Sequence, residues 1–180
     1  MNGSEPIVTI RRAVSADAEM LAQLGARTFT EAFGPGNTKA NLAAHLASNF
    51  TVARLTEELA DPSSRYVVAE IEGEPVGYAK LHWGDAPDSV QEPQQVELSR
   101  IYVSADRQGA GVGQALMQRC IDEAREAGAE AIWLSVWQRN PRAVAFYLKW
   151  GFRQVGEKIF MVGWDPQTDW VMERDLAIAS

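Results

Sequence analysis

The sequence predicts a layered α/β fold built around a mixed sheet, and two observations carry this prediction. Apolar residues switch between strand spacing and helical spacing in the order strand, two or three helices, three strands, helix, strand, helix, two strands. The middle strand-helix-strand unit has the form of a crossover between parallel neighbours. With 180 residues, 46% of them hydrophobic, the chain can bury a core without disulfides. We therefore expect a single domain over residues 1–180, with its core at about 7–176.

The N-terminal third is predicted to contain one strand followed by helices. Ile7–Arg12 places Val8 and Ile10 on one face, as a half-buried strand does. Ser15 can cap a helix that ends at the breaker Gly34–Gly36. A second helical region covers Thr38–Ala60, with a break near residues 49–51.

The rest of the chain alternates predicted strands with two helices. Asn140 followed by Pro141 is typical of a helix start, because asparagine caps and proline fits the first helical position. The remaining predicted strands are Tyr66–Ile71, Pro75–Trp83, Gln95–Val103, Ala131–Val136, Val155–Val162 and Trp170–Leu176, and the remaining helices cover Gly111–Ala127 and Asn140–Gly151.

One predicted strand changes its apolar phase. Val96 and Leu98 occupy even positions, whereas Ile101 and Val103 occupy odd ones. A shift of one residue in a half-buried strand predicts a β-bulge near residues 99–100, which would separate this strand from its parallel neighbour. An imperfectly periodic strand without a bulge is the alternative.

Charge and cysteine content exclude several classes of function. The 24 acidic and 17 basic residues give a net charge of −7, which is the wrong sign for a nucleic-acid binder. This charge either attracts a cationic ligand or only keeps the protein soluble. The lone Cys120 excludes an intrachain disulfide and any metal site built on cysteine pairs. Met1–Ile10 lacks signal-peptide features and no apolar run is long enough to span a bilayer, so we expect a cytoplasmic protein with no membrane partner.

A glycine-rich loop between a strand and a helix predicts an anion site. Backbone N–H groups and the helix dipole converge at such a helix start. The loop has the pattern Gln108-x-x-Gly111-x-Gly113. It lacks the Lys-Ser/Thr pair of a Walker loop and the third glycine of a dinucleotide fingerprint. A simple tight turn is the alternative.

This loop and a second motif resemble the two signatures of the GNAT superfamily of acyl-CoA-dependent N-acyltransferases. The second motif consists of Asn140, Ala143, Phe146, Tyr147, Gly151 and Phe152. The resemblance implies the GNAT fold, in which a mostly antiparallel seven-stranded sheet has a central splayed parallel pair and helices on both faces. Without the resemblance, the aromatic stripe of the second motif would be interpreted as core packing.

The resemblance also implies a chemistry, in which an acetyl group passes directly from acetyl-CoA to an amine, with no covalent enzyme intermediate and no metal. Tyr147 matches the general acid, and Glu97 is the candidate that accepts the amine proton through water. Asn140 would bind the pantetheine arm or the released thiol. Glu97 could instead be a solvated strand residue, and Asn140 a helix cap only.

The residues that the resemblance assigns to acetyl-CoA lie on the strand and the loop before the Gly-loop helix. They are Ile101, Tyr102, Val103, Gln108, Gly109, Ala110, Gly111, Val112 and Gly113. Gln108 stands where arginine is frequent in the family, so a side-chain contact to phosphate would have to come from Arg107.

A narrower resemblance concerns the acceptor. The stretches Glu97–Val103, Trp133–Trp137 and Gln167–Met172 are similar to PaiA-type bacterial polyamine acetyltransferases. This implies a small cationic amine substrate, which Trp83, Trp137 and Glu97 would contact. The alternatives are acetylation of a protein N-terminus or lysine, packing roles for both tryptophans, and a non-catalytic CoA-binding regulatory module. A homodimer is compatible with the sequence.

Overall fold

The computed structural model describes residues 3–177, which form one seven-stranded sheet in the order β1-β2-β3-β4-β5-β7-β6 and five α-helices. The strands are β1 Val8–Arg12, β2 Ser64–Ile71, β3 Glu74–His82, β4 Gln95–Val103, β5 Ala131–Trp137, β6 Arg153–Val162 and β7 Asp165–Asp175. The helices are α1 Ala18–Phe33, α2 Lys39–Asn49, α3 Val52–Ala60, α4 Val112–Glu126 and α5 Pro141–Lys149. Within residues 3–177, none of these helices combines the length and apolarity that crossing a membrane requires.

The predicted α/β fold is confirmed, including the parallel crossover β4-α4-β5. Every other neighbouring pair of strands in the sheet is antiparallel. The parallel pairing covers only Gln95, Val96 and Glu97, opposite residues 131–133. Beyond Glu97 the two strands diverge, and a gap opens in the middle of the sheet.

The predicted bulge is also confirmed, and it lies at the start of this gap. Arg100 pairs with Lys80 and Leu98 pairs with Leu81, so Ser99 is the inserted residue that has no partner on β3. A bulge bends its strand and increases the local twist. The bend explains how β4 stays paired with β3 while it leaves β5.

The two faces of the sheet are covered by different helices. On one face, α4 and α5 pack on a core that includes Leu116, Ile132 and Tyr147. On the other face, α1 and α3 cover a second apolar cluster around Leu21 and Tyr78, and α2 packs on an adjoining cluster with Phe29 and Phe50. The gap between β4 and β5 therefore connects two separately covered sides of the molecule.

Two local predictions differ from the structure. Ser15 does not cap α1: it begins a short 3-10 turn in which the Asp17 side chain accepts the Val14 N–H at 2.7 Å, and α1 itself starts without a side-chain cap. Strand β7 begins at Asp165, earlier than the predicted Trp170. Pro166 is compatible with this longer strand because this part of β7 pairs with β6 and extends past the end of β5.

Candidate active site

The gap between β4 and β5 forms the floor of a cleft of about 900 Å³. Residues 98–103 of the bent strand and 135–137 of β5 line it, together with the start of α4, one side of α5 and parts of α1 to α3. Because β4 and β5 do not pair here, their facing backbone groups are free to bind a ligand.

The end of the cleft at α4 is an anion cradle. Gly109 and Gly111 have φ values of +86° and +81°, which only glycine adopts without strain. Ala115 is the first residue of α4 whose N–H reaches a backbone carbonyl, that of Gly111. In the loop and the first turn of α4, the N–H groups of Gly109, Gly111, Val112, Gly113 and Gln114 have no acceptor within residues 3–177. Free amides at a helix N-terminus fit a pyrophosphate group.

Cationic side chains surround this cradle although the protein is acidic as a whole. Arg107, Arg142 and Lys149 line the same end of the cleft. Gln108 does not replace the missing arginine by itself: its Oε1 accepts a hydrogen bond from Arg142 on α5. Arg142 therefore brings a positive charge to the cradle from a second helix, in addition to the neighbouring Arg107.

Tyr147 lies on α5 and lines the cleft from the α4 side of the sheet. Its side chain is only 9% exposed, and it packs edge-on against Phe146 and Phe152. Its hydroxyl donates no hydrogen bond to the part of the chain that the structure describes. Burial raises the pKa of Tyr147 above its ordinary value, so the phenol keeps its proton at neutral pH. A neutral, unpartnered phenol can donate that proton to a ligand.

Asn140 caps α5 and also lines the cleft. Its Oδ1 accepts the Ala143 N–H at 3.2 Å, which confirms the predicted cap. Its Nδ2 makes no hydrogen bond to any of residues 3–177, so a donor is available at the cleft. Capping uses only Oδ1, so Nδ2 can still make the predicted contact to acetyl-CoA.

The structure brings two of the three predicted acceptor contacts into the cleft. Glu97 is the last residue of β4 that pairs with β5, and it is half-buried. Trp137 ends β5, and its ring packs against Phe33 at 6.0 Å between centroids. Trp83 is not brought to this site: it follows β3 at the edge of a separate, smaller pocket, with the Arg65 guanidinium 5.1 Å above its ring. In this structure Trp83 packs against the core on the α4 side of the sheet.

A charged cluster that no sequence pattern indicated lies in the cleft wall and is formed by four elements. Glu58 of α3 is buried and lies within 3.3 Å of both Lys80 and Arg100, and it also accepts the hydroxyl of Tyr66. Burial opposes ionisation of Glu58, but the charge of Arg100 and the Tyr66 hydrogen bond hold its pKa below the ordinary value. These contacts hold the side chains of this part of the cleft wall in place, because each member of the cluster has a partner within it.

Two further cleft residues, Asp169 on β7 and Ser135 on β5, were not predicted. Both side chains line the cleft, and both carry a fully buried oxygen that has no hydrogen-bond partner in the described chain. A sequence signal for Asp169 existed: in β7, Gln167, Asp169 and Val171 share one face, so an acidic residue stands at an inward position of an interior strand.

Cys120 does not contribute to the cleft. It is fully buried on the apolar side of α4, where burial raises the pKa of its thiol. A neutral, enclosed thiol is a poor nucleophile.

A splayed parallel pair beside a phosphate-binding helix start defines an N-acetyltransferase of the GNAT type. The chain belongs to that family: the family model described as Acetyltransferase (GNAT) family matches residues 21–152. It is 38% identical over 160 residues to an uncharacterized N-acetyltransferase of Mycobacterium tuberculosis, covering 89% of this chain and 98% of that one.

The chain is also similar to a further sequence relative and to a solved structure. The chain is 32% identical over 154 residues to the N-alpha-acetyltransferase RimI of Mycobacterium tuberculosis, covering 85% of this chain and 82% of RimI. Its fold is similar to that of the PaiA N-acetyltransferase from Thermoplasma acidophilum in complex with coenzyme A, with a TM-score of 0.77, 16% identity, and coverage of 94% and 99%. PaiA is one of several similar structures, so a specific relation to PaiA-type enzymes is not established.

Proposed function

We propose that this N-acetyltransferase transfers an acetyl group directly from acetyl-CoA to a primary amine. The observation that carries the proposal is the meeting, in one cleft, of the free amides of α4, the gap between β4 and β5, and the unpartnered hydroxyl of Tyr147. The amides would hold the pyrophosphate, and free backbone groups of Ile101, Tyr102 and Val103 would pair with the pantetheine arm.

Each remaining role follows from what a side chain can do at its position. Tyr147 would donate its proton to the departing sulfur, and Asn140 would orient the same group through its amide. Glu97 is the proton acceptor that the family resemblance suggests. Because Cys120 is enclosed in the core, direct transfer is the route that these residues support. We place the activity in the cytoplasm, since the lone cysteine requires no oxidising compartment.

Two classes of acceptor have specific support. A small cationic amine such as a polyamine is favoured by the net charge of −7 and by the carboxylates of Glu97 and Asp169 in the cleft. The α-amine of a polypeptide is favoured by the similarity to RimI. The cationic side chains that line the cleft on the face covered by α1 to α3 are Arg54, Lys80, Arg100 and Lys158. Glu58 pairs with Arg54, Lys80 and Arg100 but offsets only one of these charges. The positive charge that remains repels an acceptor with several positive groups, so we favour an acceptor that presents one ammonium group.

An acceptor panel tests the function. Purified protein, acetyl-CoA and one amine at a time (spermidine, alanine amide, a short peptide with a free N-terminus, or an N-terminally blocked lysine peptide) are assayed for released CoA thiol and for acetylated product by mass spectrometry. We expect release to depend on the amine and to be faster with alanine amide or the free peptide than with spermidine. Absence of amine-dependent release across the panel would refute the proposal.

Replacing Tyr147 separates an enzyme from a non-catalytic CoA-binding module. We expect Tyr147→Phe to lower kcat at least tenfold, since a general acid contributes a factor of about 10² to 10⁴. Acetyl-CoA affinity, measured by calorimetry, should change by less than about threefold because the ring remains. An unchanged kcat would remove Tyr147 from the mechanism.

A further inference from the structure

The acceptor side of the cleft contains a carboxylate without a partner. Asp169 is 5% exposed, its Oδ1 is fully buried, and neither of its oxygens accepts a hydrogen bond from residues 3–177. A buried carboxylate without a partner is costly and therefore rare in folded proteins. This cost needs an explanation, and the position of Asp169 in the cleft supplies one.

The neighbouring strands do not neutralise this carboxylate. Lys158 is opposite Asp169 in the β6–β7 pairing, but no ion pair within 4.0 Å joins them. The Lys158 ammonium lies instead over the Trp133 ring, 5.5 Å from its centroid. On β5, the residue opposite Asp169 is Trp137, which offers an apolar ring.

A second unpartnered group lies next to it. Ser135 pairs with Val171, two residues from Asp169, so the two side chains are diagonal neighbours on one face of the β5–β7 pair. Such neighbours are about 7–8 Å apart at their Cα atoms. An ammonium group between them could donate one hydrogen bond to each, because it carries three N–H donors.

We propose that Asp169, assisted by the hydroxyl of Ser135, binds the ammonium group of the acceptor and accepts its proton in place of Glu97. The proposal rests on the function proposed above and assigns the acceptor subsite within it. One N–H bond of the ammonium breaks and one O–H bond forms at Asp169, while the electron pair stays on nitrogen and makes it nucleophilic. The proton leaves to solvent when the product departs, which restores the carboxylate.

The placement of Asp169 suits this step. It lies on the face of the sheet covered by α1 to α3, whereas Tyr147 lies on the opposite face, so the two proton-transfer groups approach the gap from opposite sides. Burial raises the pKa of Asp169 to about 6, which leaves it ionised yet basic at neutral pH. Two groups of charged residues share the cleft with it: Arg107, Arg142 and Lys149, and the Glu58 cluster with Arg54, Lys80 and Arg100. The other titratable or charged groups that line the cleft are Glu31, His45, Glu97, Tyr102, Tyr147 and Lys158.

The test compares Asp169→Asn, Ser135→Ala and Glu97→Gln with Asp165→Asn, a matched control on the exposed start of β7. The probes are alanine amide and spermidine, with kcat/KM measured from pH 5 to pH 9 and acetyl-CoA affinity measured by calorimetry. We expect Asp169→Asn to lower kcat/KM for the amine at least 100-fold and to remove an acidic limb near pH 6. Ser135→Ala should raise KM about tenfold, and Asp165→Asn should stay within twofold of wild type.

Three outcomes would overturn the assignment while leaving the proposed function intact. In each of them the wild type is active. Either kcat/KM of Asp169→Asn stays within threefold of wild type, or only Glu97→Gln loses 100-fold in kcat/KM, or the acidic limb of the pH profile persists in Asp169→Asn. A loss of acetyl-CoA affinity in Asp169→Asn as large as its loss of kcat/KM would also count against the assignment, because a purely structural role predicts that both fall together. Inactivity of the wild type with every amine would instead refute the proposed function.

A second measurement does not need turnover. With ¹³C-labelled aspartate and CoA bound, addition of ethylammonium chloride should lower the pKa of Asp169 by at least half a unit, because an adjacent cation favours the ionised carboxylate. The same titration in Ser135→Ala should need a higher ethylammonium concentration. A pKa of Asp169 that does not respond to saturating ethylammonium contradicts the subsite.

Discussion

Asp169 should reduce the stability of the folded protein, and its replacement should show by how much. Burial raises its pKa from 3.8 to about 6, a shift of about two units at about 1.4 kcal/mol each. Because the folded state holds this proton more tightly than the unfolded state, stability falls as the pH rises from about 4 to about 6. Above that interval the full penalty of about 3 kcal/mol is present.

Asparagine carries no charge and avoids this penalty. We expect Asp169→Asn to be more stable than wild type at pH 7.5 by up to about 3 kcal/mol, with the difference shrinking toward zero near pH 4. Urea denaturation at pH 7.5, 5.5 and 4 measures it, and Asp165→Asn should match wild type at each pH. Equal or lower stability of Asp169→Asn at pH 7.5 would show that the carboxylate has a partner, and the reasoning would fail.

Three further predictions concern the core and the cradle. Glu123 is buried and accepts hydrogen bonds from Arg12, Arg65 and Arg119, which outweigh the effect of burial and lower its pKa to about 2. Glu123→Gln should therefore lower the free energy of unfolding by about 3–5 kcal/mol, measured by urea denaturation at pH 7. The wild type should lose stability as the pH falls from about 4.5 to 2. Gly111→Ala forces a side chain into φ +81°, at about 1–2 kcal/mol, and should weaken acetyl-CoA binding about tenfold by calorimetry. Gly77→Ala would place a Cβ 2.9 Å from the Tyr102 carbonyl and 3.2 Å from α4 side chains, so thermal unfolding should show a lower Tm. An unchanged Tm would mean that β3 and β4 separate there at little cost.

Local signals were sufficient to predict most of the fold. The phase change around Ser99 predicted the bulge because one inserted residue moves every following side chain to the other face. The Asn140 cap and the glycines of the anion cradle were equally predictable, since each needs only its own neighbours in the chain. The α1 start was not predicted, because a 3-10 turn over residues 15–17 precedes the helix, and the Asp17 side chain bonds to Arg11 and to the Val14 N–H.

The acceptor side depended on contacts that no local pattern contains. The Glu58 cluster joins α3 to β2, β3 and β4, and Asp169 is lined up with Ser135 only by the β5–β7 register. Trp83 lies in a separate pocket because the chain just past the end of β3 runs beside the start of β4, at Gln94 and Gln95. Such placements depend on strand order and register, which composition and spacing leave open.

The gap between β4 and β5 acts as a window through a layer that usually isolates two sides of a protein. The amide cradle and Tyr147 lie on one side of it, and Asp169 and Ser135 lie on the other. Two ligands can therefore occupy the protein together and meet only at the window. A single molecule joining CoA to an amine through a short linker should bind far more tightly than either part alone, because the second contact becomes intramolecular.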